Sequence, residues 1–223
     1  MKILATRARL LGSAALGLGL AMAAAQPAQA ACTITTTVIF GDTISCATNT
    51  TTTDTVYPAN PPVDRAYVSS GGAAVFLDVD PGVTVDGFGL YISGAADPLT
   101  VINDGIVRVN LGNTPTAGGS DAALAGIGGR VTYSGAGSVS NLGTGAGLQL
   151  TANGGAGLGG VSATIGGNIL STTGIGIAVN STNAAGTQAI SITTTGTVSA
   201  AQPASRPYTS ERAGFPSRPE LAR

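Results

Sequence analysis

When the chain is slid against itself by 29 positions, residues 145–171 lie on residues 174–200 without a gap. Gly145 meets Gly174, Gly147 meets Gly176, Gly157 meets Gly186 and Gly167 meets Gly196. In the same register Leu148 meets Ile177, Leu150 meets Val179, Val161 meets Ile190 and Ile169 meets Val198. Composition supplies some coincidences, since 34 of the 223 residues are Gly. It does not readily place four glycine pairs and four aliphatic pairs in one frame. The register continues towards the N-terminus. "GSVS" (137–140), "GNIL" (167–170) and "GTVS" (196–199) fall 30 and 29 residues apart, and "GIVRV" (105–109) precedes them by 32. Periods of this length mark a solenoid, a propeller or an array.

Inside each repeat the beat is two. Leu148 and Leu150 alternate with small or polar residues, as do Ile175, Ile177 and Val179, and then Ile190 and Ile192. Such alternation describes a half-buried strand, and "NGG", "GG" and "NST" supply turns between strands. After residue 30 no run has a helical period with a cap. Three short strands in about 29 residues suit a β-helix coil better than a four-stranded propeller blade. One coil cannot bury its apolar row, but stacking sets like residues over like. Glycine serves the corners, where φ is positive or backbone must approach backbone. The expected fold is therefore all-β, a parallel β-helix of about five or six coils over residues 31–200.

Residues 1–30 read as a secretory signal: Lys2, Arg7 and Arg9, then the apolar run 10–25, then "AQA" (28–30), with cleavage expected between Ala30 and Ala31. The apolar run is too short for a spanning helix, and none later is longer, so the mature chain is expected to carry no transmembrane helix. Cys32 and Cys46 follow at once and in an oxidising compartment most simply pair, closing a hairpin worth about 3 kcal/mol. A metal or redox site there lacks C-x-x-C spacing and further ligands.

The chain has no His, which excludes Ser-His-Asp and Cys-His nucleophile pairs and imidazole metal sites. Charged residues are 9% of the chain and the net charge is −1, so nothing marks a nucleic-acid surface. Over residues 31–200 nine Asp stand against Arg65, Arg108 and Arg130, a net of −6. No cofactor is expected.

The Sec-type signal, the early Cys pair and the Gly/Thr/Ser repeats resemble the N-terminal passenger region of Gram-negative autotransporters. "GGAAVFLDVDPGVTVDGFGLYIS" (71–93) and "LTVINDGIVRVNLG" (99–112) look like passenger coils. The resemblance covers about residues 1–200. It implies a right-handed parallel β-helix, exported to the periplasm, cell surface or medium and acting as a structural or adhesive module on an unidentified host-surface or polysaccharide ligand. It also implies a C-terminal β-barrel translocator, whose alternating strands of about ten residues are missing here. Instead residues 201–223 turn rich in Pro and Arg and read as a disordered tail, or as the out-of-frame end of a truncated gene. A gene remnant without function is a further alternative.

The densest carboxylates are Asp78, Asp80 and Asp86. Asp78 and Asp80 share one strand face, about 7 Å apart, with Leu77 and Val79 inward. Such a set can bind Ca²⁺ or work as acid and base on a polysaccharide, which makes a β-helix carbohydrate-active enzyme the alternative function. The plainer reading is a solvated face ending in a "DPG" turn. Asp104 and Arg108 are spaced for a surface ion pair across a turn. Gly155, Gly157 and Gly160 spell G-x-G-x-x-G without the strand–helix context of a dinucleotide loop. Ser134 has no His to activate it. Tyr57, Tyr67 and Tyr91 offer either sugar-stacking rings or buried ones.

Overall fold

Short alternating runs between glycines leave the backbone no partner within a run, so each strand must find one elsewhere. A computed structural model, which describes residues 32–37, 41–54, 56–58, 65–69, 71–154, 159–182, 189–202 and 208–209, has the pairing. Residues 1–30, expected to be a secretory signal, lie outside the described residues together with Ala31 and most of 203–223.

The chain begins with a hairpin. Strand β1 (Thr33–Thr37) runs antiparallel to β2 (Gly41–Cys46), and a disulfide joins Cys32 to Cys46 at its open end. Next come β3 (Thr50–Thr51), β4 (Val56–Pro58) and β5 (Ala66–Val68). From there the strands come in threes. The triplets are β6 (Val75–Val79), β7 (Thr84–Asp86) and β8 (Leu90–Ser93); β9 (Leu99–Asn103), β10 (Ile106–Val109) and β11 (Leu124–Gly128); and β12 (Val131–Gly135), β13 (Ser138–Asn141) and β14 (Leu148–Ala152). They continue with β15 (Val161–Ile165), β16 (Ile169–Ile175) and β17 (Ile177–Ser181), then β18 (Ile190–Thr194), β19 (Val198–Gln202) and β20 (Tyr208–Thr209).

Members of a triplet belong to three different sheets. The first sheet has the order β1-β2-β6-β9-β12-β15-β18, the second β3-β7-β10-β13-β16-β19 and the third β4-β5-β8-β11-β14-β17-β20. Among the described residues every strand pairing is parallel except β1–β2. The protein is thus all-β, built from parallel sheets. Strand pairing also extends past Ala200, since β19 runs to Gln202 and β20 pairs with β17. Among the described residues no helix is long and apolar enough to cross a membrane.

The registers are those expected from the 29-residue offset. Leu148 stands opposite Ile177, Leu150 opposite Val179, Val161 opposite Ile190 and Ile169 opposite Val198. The wider spacings hold as well: Val107 is paired with Val139, and Val139 with Ile169. Inward positions therefore form rows. In the first sheet one row is Val75, Leu99, Val131, Val161 and Ile190; in the second, Val85, Val107, Val139, Ile169 and Val198. The third carries Leu90, Leu124, Leu148 and Ile177. Most of these side chains are fully buried in one shared core. Each contributes about 1.5–3 kcal/mol when removed from water.

From β9 onward one corner of each triplet is a glycine (Gly105, Gly137, Gly167, Gly196), for a reason of space. A Cβ on Gly137 would lie 2.2 Å from the carbonyl oxygen of Gly105. On Gly167 it would lie 1.9 Å from that of Gly137, and on Gly196 1.9 Å from that of Gly167. None of these glycines has a positive φ. The corner between first and second sheets is a column of backbone lying directly on backbone.

Candidate binding face and the polar clusters beside it

Outward side chains of the first sheet also line up across strands. One row is Thr100, Thr132, Ser162 and Ser191; the next is Ile102, Ser134, Thr164 and Thr193. Parallel pairing sets neighbours in a row about 4.8 Å apart, and the two rows lie about 7 Å apart. From β9 to β18 seven of the eight positions are hydroxyls and none is charged, while on β6 the same rows continue into Phe76 and the carboxylate Asp78. On β15 and β18 these hydroxyl residues are exposed. The result is a regular sheet of weak donors and acceptors, suited to many shallow contacts with an extended partner. Ser134 belongs to this outward row.

The carboxylates divide. On β6 Leu77 and Val79 are buried and Asp78 faces outward, as the alternation requires. Burial raises the Asp78 pKa, and the nearby charges of Asp80 and then Asp104 raise it further. Asp80 begins the turn: its carbonyl accepts from the Val83 amide at 3.1 Å, and Gly82 has φ +79°. Asp86 is on the second sheet, engaged elsewhere. It accepts from Arg108 Nη2 at 3.0 Å and from Thr51 Oγ1 at 2.9 Å. Among the described residues no three acidic or Cys side chains gather where a metal ion would be held.

Arg108 therefore pairs with Asp86, not with Asp104 as its spacing suggested. The pairing of Val107 with Val85 makes Asp86 the lateral neighbour of Arg108, whereas Asp104 lies in the turn before β10. Asp104 instead accepts from the Ala136 amide at 2.8 Å, tying its turn to the equivalent turn of the next triplet.

The most connected polar group was not foreseen. Arg65 is fully buried. Its Nε donates to the Phe88 carbonyl at 2.8 Å, and Nη2 donates to those of Ser120 and Ala122 at 2.5 and 3.3 Å. Nη1 donates to the Ala117 carbonyl. Asp54 lies 3.7 Å from Nε and accepts from the Thr116 hydroxyl and from the amides of Thr116 and Ala117. Burial alone would raise the Asp54 pKa. The Thr116 hydroxyl, the two amides and the Arg65 charge outweigh it and hold the carboxyl below its usual range. The pair fastens the long connection 110–123, including the 3₁₀ turn Ala117–Gly119, against the third sheet.

This latch also covers one of the tyrosines. Tyr91 is buried beneath the connection, its ring where a Cβ on Gly118 would fall. Tyr67 is buried and donates to the Asp42 carboxylate; burial first, then Asp42, raises its pKa strongly. Neither ring is open to a sugar, and the Tyr57 side chain lies outside the described residues. Of the G-x-G-x-x-G glycines only Gly160 is described. No protein family, curated protein or solved structure matches the chain.

Proposed function

We propose that this chain is a right-handed parallel β-helix of the autotransporter-passenger type, exported through its N-terminal signal and acting as a structural or adhesive module without catalysis of its own. The observation that supports this most is the outer face of the first sheet from β9 to β18, where uncharged rows made mostly of hydroxyls repeat triplet after triplet. A repeated face of this kind binds by multiplicity, and affinity grows with the number of strands engaged. The division of the acidic residues supports the same choice, because Asp86 is committed to Arg108 and Thr51. An extracellular polysaccharide or a host-surface polymer is the partner that suits it.

The test is expression in a Gram-negative host, followed by mass spectrometry of the N-terminus, fractionation, and binding of the purified protein to immobilised polysaccharides. The expected outcome is an exported chain beginning at Ala31 that binds at least one polymer, with binding weakened when Ser162 and Thr164 are replaced by Lys. Retention of Met1 in the cytoplasm refutes export. Binding unaltered by the lysines refutes the face.

A further inference from the structure

The outward rows of the first sheet change character towards β2. Across β2, β6 and β9 one row reads Thr43, Phe76 and Thr100, and the next reads Ser45, Asp78 and Ile102. Phe76 and Ile102 are diagonal neighbours on adjacent strands, and they are 38% and 37% exposed. The alternation that buries Val75, Leu77 and Val79 sends the Phe76 ring outward. Tyr67, Tyr91 and Tyr133 are buried, so among the described residues Phe76 is the aromatic ring that this face offers.

An unpaired acceptor stands beside the ring. Asp78 lies about 7 Å from Phe76 on the same face of β6. Burial, then the like charges of Asp80 and Asp104, act on its carboxyl, and among the described residues no donor meets it. An ionised carboxylate only accepts hydrogen bonds, so it favours a ligand rich in O–H groups. The surrounding charge narrows that ligand. Asp80 and Asp104 lie just past the ends of β6 and β9, at the end of the strands where Asp78 sits. Arg65 is buried and Arg108 is bound to Asp86 on the second sheet, while exposed Arg130 precedes β12, at the opposite end of the strands with Asp97. An anionic polymer therefore meets repulsion at this patch. A polycation would find counter-charges only here, since the rows from β12 to β18 carry none.

We infer that Phe76, Ile102 and Asp78 form a subsite for one sugar unit of an uncharged polysaccharide, whose chain continues over the hydroxyl rows. The inference rests on the binding face proposed above and names the polymer class that face takes. A pyranose has an apolar C–H face and a rim of hydroxyls. The C–H face lies on the Phe76 ring and the Ile102 side chain, and the rim donates to Asp78 and exchanges hydrogen bonds with Thr100. An aromatic ring gives such a contact both area and a preferred geometry. Phe76 thus anchors one unit, and the rows add many weak contacts along the rest of the polymer.

The experiment measures binding of the purified protein to uncharged glucans and galactomannan, to polygalacturonate and to chitosan, beside Phe76→Leu and Phe76→Trp, each checked by circular dichroism. Leu keeps apolar bulk without a ring, and Trp keeps a ring. The chain has no Trp, so Phe76→Trp also places its sole indole at the subsite. The expected result is binding to an uncharged polymer that salt barely alters. Phe76→Leu weakens it about tenfold, whereas Phe76→Trp retains it and shifts its emission on saturation. Unchanged affinity in Phe76→Leu overturns the subsite, as does a saturated complex that leaves the indole emission unmoved. So does preference for polygalacturonate, or binding to chitosan alone that salt abolishes. If Phe76→Leu fails to fold, the emission of Phe76→Trp decides. Ser162→Lys with Thr164→Lys separates the two readings. If the lysines weaken binding and Phe76→Leu does not, the face stands and the subsite falls. If Phe76→Leu weakens binding and the lysines do not, the subsite stands without the rows. A chain that binds no polysaccharide overturns both.

Discussion

Gly167→Ala tests whether the stacked glycine corner is a matter of space. The added Cβ would sit 1.9 Å from the Gly137 carbonyl oxygen and 2.6 Å from that of Ala136. Both obstacles are backbone, fixed by the pairing of Val139 with Ile169 on one side and of Val131 with Val161 on the other. No rotamer change relieves the clash; the corner must open by about 1 Å or more to restore van der Waals contact. Overpacking a fixed site costs about 1–3 kcal/mol, and a backbone obstacle belongs at the upper end. The stiffer unfolded chain returns less than about 1 kcal/mol of stability. The net expectation is a loss of about 2 kcal/mol, and a fall in Tm of about 4–8 °C for a chain of this size. The control is Gly82→Ala, where no atom lies within 4 Å but φ is +79°. Its cost is confined to a left-handed conformation, about 1–2 kcal/mol. Urea titration followed by far-ultraviolet circular dichroism measures both. A Gly167→Ala chain within about 0.5 kcal/mol of the parent, with Gly82→Ala clearly worse, would refute the argument from close approach.

Two further outcomes follow from the charged groups. Replacing Asp54 by Asn leaves Arg65 buried without its counter-charge and is expected to cost about 1–3 kcal/mol at neutral pH. Because the folded Asp54 carboxyl titrates below its unfolded value, its contribution is complete above about pH 4 and fades as the pH falls through the folded pKa. The stability gap between parent and variant, read from urea midpoints, should therefore close on acidification. Asp78 has the opposite sign: its folded pKa is raised, so its charge opposes folding at neutral pH and protonation relieves it. Asp78→Asn is expected to stabilise by a few tenths of a kcal/mol at pH 7, with the gain vanishing below about pH 4; a loss at pH 7 would contradict the repulsion from Asp80 and Asp104.

The strand registers of the repeated region were legible because the repeat is one-dimensional. When each residue's neighbour is its equivalent one triplet away, an offset in the sequence is a pairing in space. Leu148 on Ile177 and Gly167 on Gly196 follow from that alone. The hairpin closed by Cys32 and Cys46 was legible for a local reason, a short loop between two thiols. The inward burial of Leu77 and Val79 came from the period-two pattern.

What only tertiary structure decided lies where the chain leaves the repeat or crosses between strands. Arg65 finds carbonyls at 88, 117, 120 and 122, and Asp54 finds amides at 116 and 117, over sequence distances that carry no period. Tyr91 is buried only because that connection is fastened over it. Arg108 chose Asp86 over Asp104 because the ladder makes Asp86 its lateral neighbour, while Asp104 is engaged by the Ala136 amide of the next turn. The sequence alone determined which residues repeat and so which stack. Tertiary structure decided which charges are sheltered, because desolvation and hydrogen bonding depend on segments that only folding brings together.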